Sequence, residues 1–168
     1  GCTSTCTFTI TEPFAANCDD FLIDSSFAID VSCNGGADGS LEIQLISGTP
    51  PYQFEWSDPA LNSLIDNKTY TASNLSAGNY LTTITDGAGC ELFDTLAITE
   101  PALLQIDSAN VQDEICLGAN DGSIQIFISG GTGMYIVQWD SGQTGTLITD
   151  LNPGTYEVTV TDENDCSA

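Results

Sequence analysis

Hydrophobic residues recur at every second position over short stretches of this chain, and the stretches come in two matching sets. Leu41, Ile43 and Leu45 alternate with Glu42 and Gln44, as Ile124, Ile126 and Ile128 alternate with Gln125 and Phe127. Tyr52, Phe54 and Trp56 are interleaved with Gln53 and Glu55, and Tyr135, Val137 and Trp139 with Ile136 and Gln138. Tyr156, Val158 and Val160 alternate with Glu157 and Thr159. A period of two in β-branched and aromatic residues marks half-buried strands. Turn signals divide them: Asn34-Gly35-Gly36, Ser47-Gly48-Thr49-Pro50-Pro51, Asp86-Gly87, Gly130-Gly131 and Asn152-Pro153-Gly154. No helical period competes. The pattern predicts an all-β protein in which each set folds as a small antiparallel β-sandwich.

The two sets belong to a tandem repeat. Cys33 leads to Asp38-Gly39-Ser40 and then Trp56; Cys116 leads at the same offsets to Asp121-Gly122-Ser123 and Trp139. Each copy reaches a Leu-x-x-Gly-x-Tyr turn (Leu75 to Tyr80; Leu151 to Tyr156) and then a second cysteine, Cys90 or Cys166. The first copy is seven residues longer between Trp and Tyr (80 − 56 against 156 − 139), as a loop insertion would make it. The N-terminus repeats the end of the unit, because Gly1-Cys2 followed by Glu12-Pro13 mirrors Gly89-Cys90 followed by Glu100-Pro101. Such fixed self-similarity indicates an array. Residues 1–13 then read as the last strand of a preceding repeat, 14–101 as a complete sandwich, and 102–168 as a second sandwich lacking its final strand. Residues 3–10 match Glu91–Ile98, with Phe8 and Ile10 in the places of Leu96 and Ile98. On this register the chain is a segment of a longer one or the repeating unit of a fibre. Its partners would be neighbouring copies, with residues 1–13 completing the sandwich of the preceding copy.

Composition narrows the partners. Net charge is −23, with Lys68 as the one basic residue and no histidine. Phosphate contacts need Lys or Arg, so nucleic acid is excluded, and anionic membrane surfaces are disfavoured. No apolar run approaches the roughly 20 residues of a membrane span. At 41% hydrophobic residues the chain is globular despite its charge. Self-repulsion is screened beyond roughly 8 Å in physiological salt, so a saline or calcium-rich medium suits it.

The seven cysteines frame the repeats and lack the Cys-x-x-Cys or Cys/His spacing of a zinc site. Disulfides are therefore expected, and with them a place outside the reducing cytosol. Cys33–Cys90 and Cys116–Cys166 frame the same segment in each copy and are the expected pairs. Strand parity leaves an alternative: with seven alternating strands the two cysteines of a copy lie at opposite poles, and Cys33 comes nearer to Cys166 of the next copy. Cys6 and Cys18 have no counterparts and are expected to bond each other, leaving Cys2 for an outside partner.

The strings Ser32-Cys33-Asn34-Gly35-Gly36-Ala37-Asp38-Gly39-Ser40 and Leu75-Ser76-Ala77-Gly78-Asn79-Tyr80, repeated from Ile115 and from Leu151, resemble the SprB-type repeat of surface adhesins from gliding Bacteroidota. The strand from Gly154 to Asp162 is also similar to PKD and fibronectin type III modules. The resemblance implies tandem immunoglobulin-like β-sandwiches in a large secreted, cell-surface adhesin or filament. It is interrupted around Cys18 and in the longer Trp-to-Tyr loop of the first copy.

The candidate side chains divide by chemistry. Trp56 and Trp139 suit sugar stacking but fall in phase with core positions. Tyr80 and Tyr156 follow a tight glycine turn, as in the tyrosine corner of other sandwiches. Asp38, Asp121, Asp86 and Asp162 lie in acidic turns and supply the oxygen ligands calcium prefers, although neither loop has a complete calcium-loop spacing. An Asp-Gly pair is most often just a turn, so no cofactor is expected, and calcium is the one candidate ion for these loops. Asn67-Lys68-Thr69 and Asn74-Leu75-Ser76 match the N-glycan sequon, and Asp94-Thr95-Leu96 and Asp107-Ser108-Ala109 an O-glycan signal; chance matches of this length are common. With no histidine and one lysine, a Ser or Cys nucleophile lacks its usual base, so an enzyme is not expected. The expected function is a structural segment of an extracellular fibre or surface adhesin serving attachment or gliding, with a calcium- or polysaccharide-binding module as the alternative.

Overall fold

The computed structural model describes residues 18–168, so the expectations for residues 1–13, Cys2 and Cys6 lie outside the described residues. The first repeat contributes seven strands: β1 (Ile23–Ile29), β2 (Gly39–Leu45), β3 (Tyr52–Trp56), β4 (Ser63–Ile65), β5 (Thr69–Leu75), β6 (Gly78–Thr85) and β7 (Glu91–Ile98). They form two sheets, ordered β1-β2-β5 and β4-β3-β6-β7. The second repeat contributes β8 (Gln105–Gln112), β9 (Gly122–Ser129), β10 (Ile136–Trp139), β11 (Leu147–Leu151) and β12 (Val158–Thr161), ordered β11-β9-β8 and β10-β12. The fold is all-β, two immunoglobulin-like antiparallel sandwiches in tandem. The longer Trp-to-Tyr spacing of the first copy holds a 3-10 turn (Pro59–Leu61) and β4.

Contacts group the chain into two compact units whose limits run across the repeats. Among the described residues, one comprises 18–25 with Ile43–Tyr70 and Leu81–Asp94; the other comprises Ser26–Glu42, Thr71–Tyr80 and Thr95–Ala168.

In the first unit β3 is the hub. Its alternation turns Tyr52, Phe54 and Trp56 inward and leaves Gln53 and Glu55 in solvent. Phe54 pairs with Ile84 of β6 on one side and Ser63 of β4 on the other. Its ring stacks on Tyr70 at 4.7 Å, with Trp56 tilted against Tyr70 at 5.3 Å and Phe21 stacked on Tyr52 at 6.2 Å. Each fully buried side chain of this size contributes about 1.5–3 kcal/mol. Gly48 allows the close approach of Phe21: at φ +100 a Cβ there would stand 2.6 Å from the ring.

In the second unit β9 lies between β8 and β11, and Leu104, Ile126, Val137, Trp139, Ile148, Leu151 and Val160 form the core. Asp150, at φ 59, precedes Leu151 just as Asn74, also φ 59, precedes Leu75. In β11 this left-handed residue coincides with a slip in pairing between Ile148 and Leu151, a bulge that lets Leu151 face inward beside Ile148's side of the strand. Sequence expectations for this repeat are softened here, Tyr156 and Val158 being only partly buried. Ile124 and Ile128 are only partly buried, and Tyr135 is 39% exposed with its hydroxyl donating to the Gly130 carbonyl. β10 begins at Ile136, so Tyr135 stands before the pleat that would have turned it inward.

Candidate functional site

The chemistry of this chain is concentrated in the turn that closes each repeat, where an aspartate collects backbone amides and a cysteine follows. Asp86 directly follows β6. Its Oδ1 accepts from the amides of Ala88 and Cys90 at 2.9 Å each, and its Oδ2 from the amide of Thr49 at 2.9 Å. The turn is closed by Asp86 N donating to the Cys90 carbonyl at 2.9 Å. Asp162, directly after β12, repeats the arrangement: Oδ1 accepts from Asn164 and Cys166 at 2.9 Å each, and Oδ2 from Thr132 at 2.8 Å. Asp162 N donates to the Cys166 carbonyl at 3.0 Å. Both carboxylates are buried. Burial works to raise the pKa of each, but hydrogen bonds from main-chain amides outweigh it, and both are held below the usual carboxylate value.

Asp38 and Asp121 do a related job in the loops that open each repeat. Asp38 Oδ1 accepts from the amide of Ser32, and Asp121 Oδ1 from that of Ile115, each at 3.0 Å. The Ser32 hydrogen bonds lower the pKa of Asp38. The four aspartates expected to offer oxygen to calcium are thus engaged with main-chain amides, and no group of three or more metal-ligating side chains occurs among the described residues. Sequence reasoning missed this role because the amides of Thr49 and Thr132 are remote in the chain; an Asp-Gly or Asp-Glu turn alone looks the same either way.

The disulfides differ from the expected pairs. Cys18 bonds Cys90, with Cα atoms 5.4 Å apart, and Cys33 bonds Cys166, at 5.7 Å. Cys33–Cys90, Cys116–Cys166 and Cys6–Cys18 are therefore not formed, and Cys116 is an exposed free thiol. The reason lies in β7. Cys90 directly precedes this eight-residue strand, whereas the Cys33 loop is bonded just beyond it: Gly35 N donates to Glu100 Oε2 at 2.7 Å and Asn34 Nδ2 to the Pro101 carbonyl at 3.0 Å. A strand of that length spans about 26 Å, far more than a disulfide bridges. The pairing seen is the one strand parity had left open. Around Cys33–Cys166, Asn164 Nδ2 donates to the Ser32 carbonyl at 3.1 Å, so the bond is flanked by a polar clasp.

The aromatic signature is structural in its contacts. Trp56 and Trp139 are buried, and Trp139 Nε1 donates to the Gly145 carbonyl at 3.0 Å. Tyr80 donates to the Ser76 carbonyl at 2.8 Å and Tyr156 to that of Asn152 at 2.7 Å, both four residues back. That is the bond of a tyrosine corner. Of the sequon asparagines, Asn67 is exposed with Oδ1 accepting from Thr69 N, and Asn74 is the left-handed residue before Leu75.

Residues 25–61 and 108–144 match the family model of the SprB repeat. The two matched segments are similar to SprB repeats. Each match begins in the strand before the Cys33 or Cys116 loop and covers the Asp-Gly-Ser turn and the tryptophan, so it falls on the core signature of the repeat. No curated protein matches the chain. Among solved structures, the C-terminal 282-residue fragment of intimin, determined in complex with the intimin-binding domain of the translocated intimin receptor, is similar at 13% identity and TM-score 0.41. The alignment covers 87% of this chain and 61% of that one. Fibronectin(III)-like modules of Clostridium thermocellum CbhA align at 16% identity and TM-score 0.29 over 88% of both chains. The repeat family and the two disulfides are those of an extracellular, adhesin-like structural module. Among the described residues no helix is long and apolar enough to cross a membrane.

Proposed function

We propose that this chain is a tension-resisting segment of a long extracellular repeat fibre or surface adhesin that serves attachment to surfaces or gliding. The observation that carries the reading is the Cys33–Cys166 bond, which closes 133 residues of chain behind one covalent link. A pull transmitted from the N-terminal side of Cys33 to the C-terminal side of Cys166 passes through that link and bypasses β2 to β12, leaving β1 in its path. The Cys18–Cys90 bond closes a further, interleaved loop of 72 residues. Such a design has little use in a soluble binding domain and much in a filament under load.

The reading makes the protein non-catalytic, with neighbouring copies of the repeat as partners and a cell-surface location. The net charge of −23 keeps such a fibre soluble and away from nucleic acid. Calcium- or polysaccharide-binding finds weaker support, because the candidate aspartates hold main-chain amides and the two tryptophans are packed in cores. Immunogold electron microscopy of intact cells tests the reading. Labelled surface filaments, together with loss of surface attachment when the protein is deleted, are expected. Labelling confined to the cell interior, or unchanged attachment in the deletion strain, would overturn it.

A further inference from the structure

β3 and β10 hold the same place in the two repeats, but their outer edges are occupied differently. In the first repeat the longer Trp-to-Tyr loop folds back as β4, which pairs with β3 at Tyr52–Ile65, Gln53–Leu64 and Phe54–Ser63. In the second repeat the counterparts of Tyr52, Gln53 and Phe54 are Tyr135, Ile136 and Val137, and the loop that follows is shorter. It holds β10 only towards its C-terminal end. Trp139 N donates to the Gln143 carbonyl at 3.1 Å, Gly145 N to the Val137 carbonyl at 3.3 Å, and Gln138 bridges Thr144. By Thr146 the chain has left for the other sheet, where its carbonyl accepts from Ile126 of β9 at 2.8 Å.

What remains beside Gly133–Gln138 is an open groove of about 670 Å³. Its walls are internal residues of the second repeat, and its opening follows from the shorter loop. Main-chain groups of alternate residues point to one side of an antiparallel strand. The Val137 carbonyl and the Trp139 amide face the groove, so the Val137 amide and both main-chain groups of Tyr135 face it too. Among the described residues no strand pairs with them. The side chains along this edge are apolar and in solvent: Met134 is 83% exposed and Ile136 60%. An unpaired edge with exposed apolar side chains and no charge of its own is a template for a further strand.

One charge does stand at the mouth of the groove. In the first repeat Gly87 follows Asp86 and sits on Pro50, so closely that a Cβ there would collide with the Pro50 carbonyl. The counterparts are Glu163 and Gly133, and the Glu163 side chain lies against Gly133 in the space a Cβ would need. Lys68, the one basic residue of the chain, stands three positions after the end of β4 and donates to the Ile46 carbonyl. The second repeat therefore has a carboxylate at the mouth of its groove and no cation of its own.

We propose that the groove beside β10 is a docking site for an extended peptide of a second protein, apolar where it lies opposite Tyr135 and Ile136 and carrying Lys or Arg two or three residues further on. β4 shows the fit on the same edge: an antiparallel Ser63-Leu64-Ile65, with Leu64 opposite Gln53 and Lys68 beyond. In the second repeat Ile136 replaces Gln53, so an apolar residue in the place of Leu64 meets an apolar neighbour, and Glu163 offers the cation a partner. Charge chooses the class of partner. A second copy of this chain carries −23 and would be repelled, and its one lysine is already bonded. Strand addition of this kind takes affinity from main-chain bonds and specificity from alternate side chains. The site goes beyond the fibre reading, because it gives the second repeat a partner that the first repeat shuts out with its own loop.

The test uses the full oxidised chain at physiological salt, with a dye-labelled peptide of residues 60–68 bearing Asp66→Lys as the probe. Fluorescence anisotropy is expected to show saturable binding, with hydrogen-exchange protection appearing at Tyr135–Val137. Ile136→Lys, at an exposed position, should weaken binding at least about tenfold. The same charge change at Leu64→Lys, exposed on β4 of the first repeat, should leave binding unchanged. Glu163→Gln should weaken it about two- to fivefold. The peptide bearing Asp66→Glu and Lys68→Glu instead should not bind. Absence of binding up to about 1 mM overturns the proposal, as does binding that Ile136→Lys leaves unchanged, that the acidic peptide matches, or that protects another edge. Self-association of the chain that Ile136→Lys abolishes would make a second copy the occupant, which equally overturns it. None of these failures touches the Cys33–Cys166 link on which the fibre reading rests.

Discussion

β6 and β12 carry one sequence signature, Gly-x-Tyr followed four residues after the tyrosine by a buried Ile84 or Val160 and then a closing aspartate, yet β6 runs for eight residues and β12 for four. β6 has a strand on each side, β3 and β7; among the described residues β12 has β10 on one side and the Ser167–Ala168 pair on the other. The tyrosine corners and the amide-binding aspartates are alike in both. The longer strand is the one paired along both edges, while the turns at the strand ends are local and alike in both repeats.

The cysteines show a second contrast of the same kind. Cys33 and Cys116 occupy one position in the repeat, but the first is bonded and the second is an exposed thiol. The largest expected effect in the molecule follows from this. Cys33→Ser should lower stability by about 5 kcal/mol in the chain-entropy model, read as a fall in denaturation midpoint. Cys116→Ser should stay within about 0.5 kcal/mol of the parent. Equal losses at the two positions would erase the contrast.

Ile98→Ala would turn the first repeat into an imitation of the second. It should cost about 2–5 kcal/mol, and amide exchange should quicken at Gly78–Leu81, the part of β6 that has no counterpart in β12. Unchanged exchange there would mean that sequence, and not the neighbouring strand, sets the length of β6.

The closing aspartates sharpen the comparison from the other side, because here the repeats should respond alike. Asp86→Asn and Asp162→Asn each leave one amide facing another donor, for a loss of about 1–3 kcal/mol. Both carboxyls are held below the ordinary value in the folded protein. Their contribution is therefore complete above the unfolded pKa, about 3.9, and is lost as pH falls through that value towards the folded one. Acid titrations of the two variants should be flatter than that of the parent over this range. The smallest expected effect is the loss of a tyrosine-corner bond: Tyr80→Phe and Tyr156→Phe should each cost about 1 kcal/mol, and a marked inequality would show that the corners are not equivalent.

What the sequence made legible was whatever depends on neighbours along the chain. The period of two in Leu41-Ile43-Leu45 and Tyr52-Phe54-Trp56 located strands, and the Gly-x-Tyr turns located the corners. The disulfide partners of Cys33 and Cys166 were hidden because they depend on which end of a sheet each loop reaches. That in turn depends on counting β4, a three-residue strand inside an insertion with no pattern of its own. The role of Asp86 and Asp162 was hidden for a similar reason. Each completes its hydrogen bonds on an amide from a remote loop, Thr49 or Thr132, so an acidic turn that reads as a cation site is an internal clasp. Tyr135 escaped because alternation shows the phase of a strand but not where it starts.

Stretching single molecules between their two ends tests the central claim most directly, that the Cys33–Cys166 link carries tension past β2 to β12. With the disulfides intact, the chain between these cysteines, which stand 133 positions apart, should stay hidden from the force, and reduction should release up to about 450 Å of contour at roughly 3.4 Å per residue. Release of that length under oxidising conditions, with no dependence on reductant, would contradict the account.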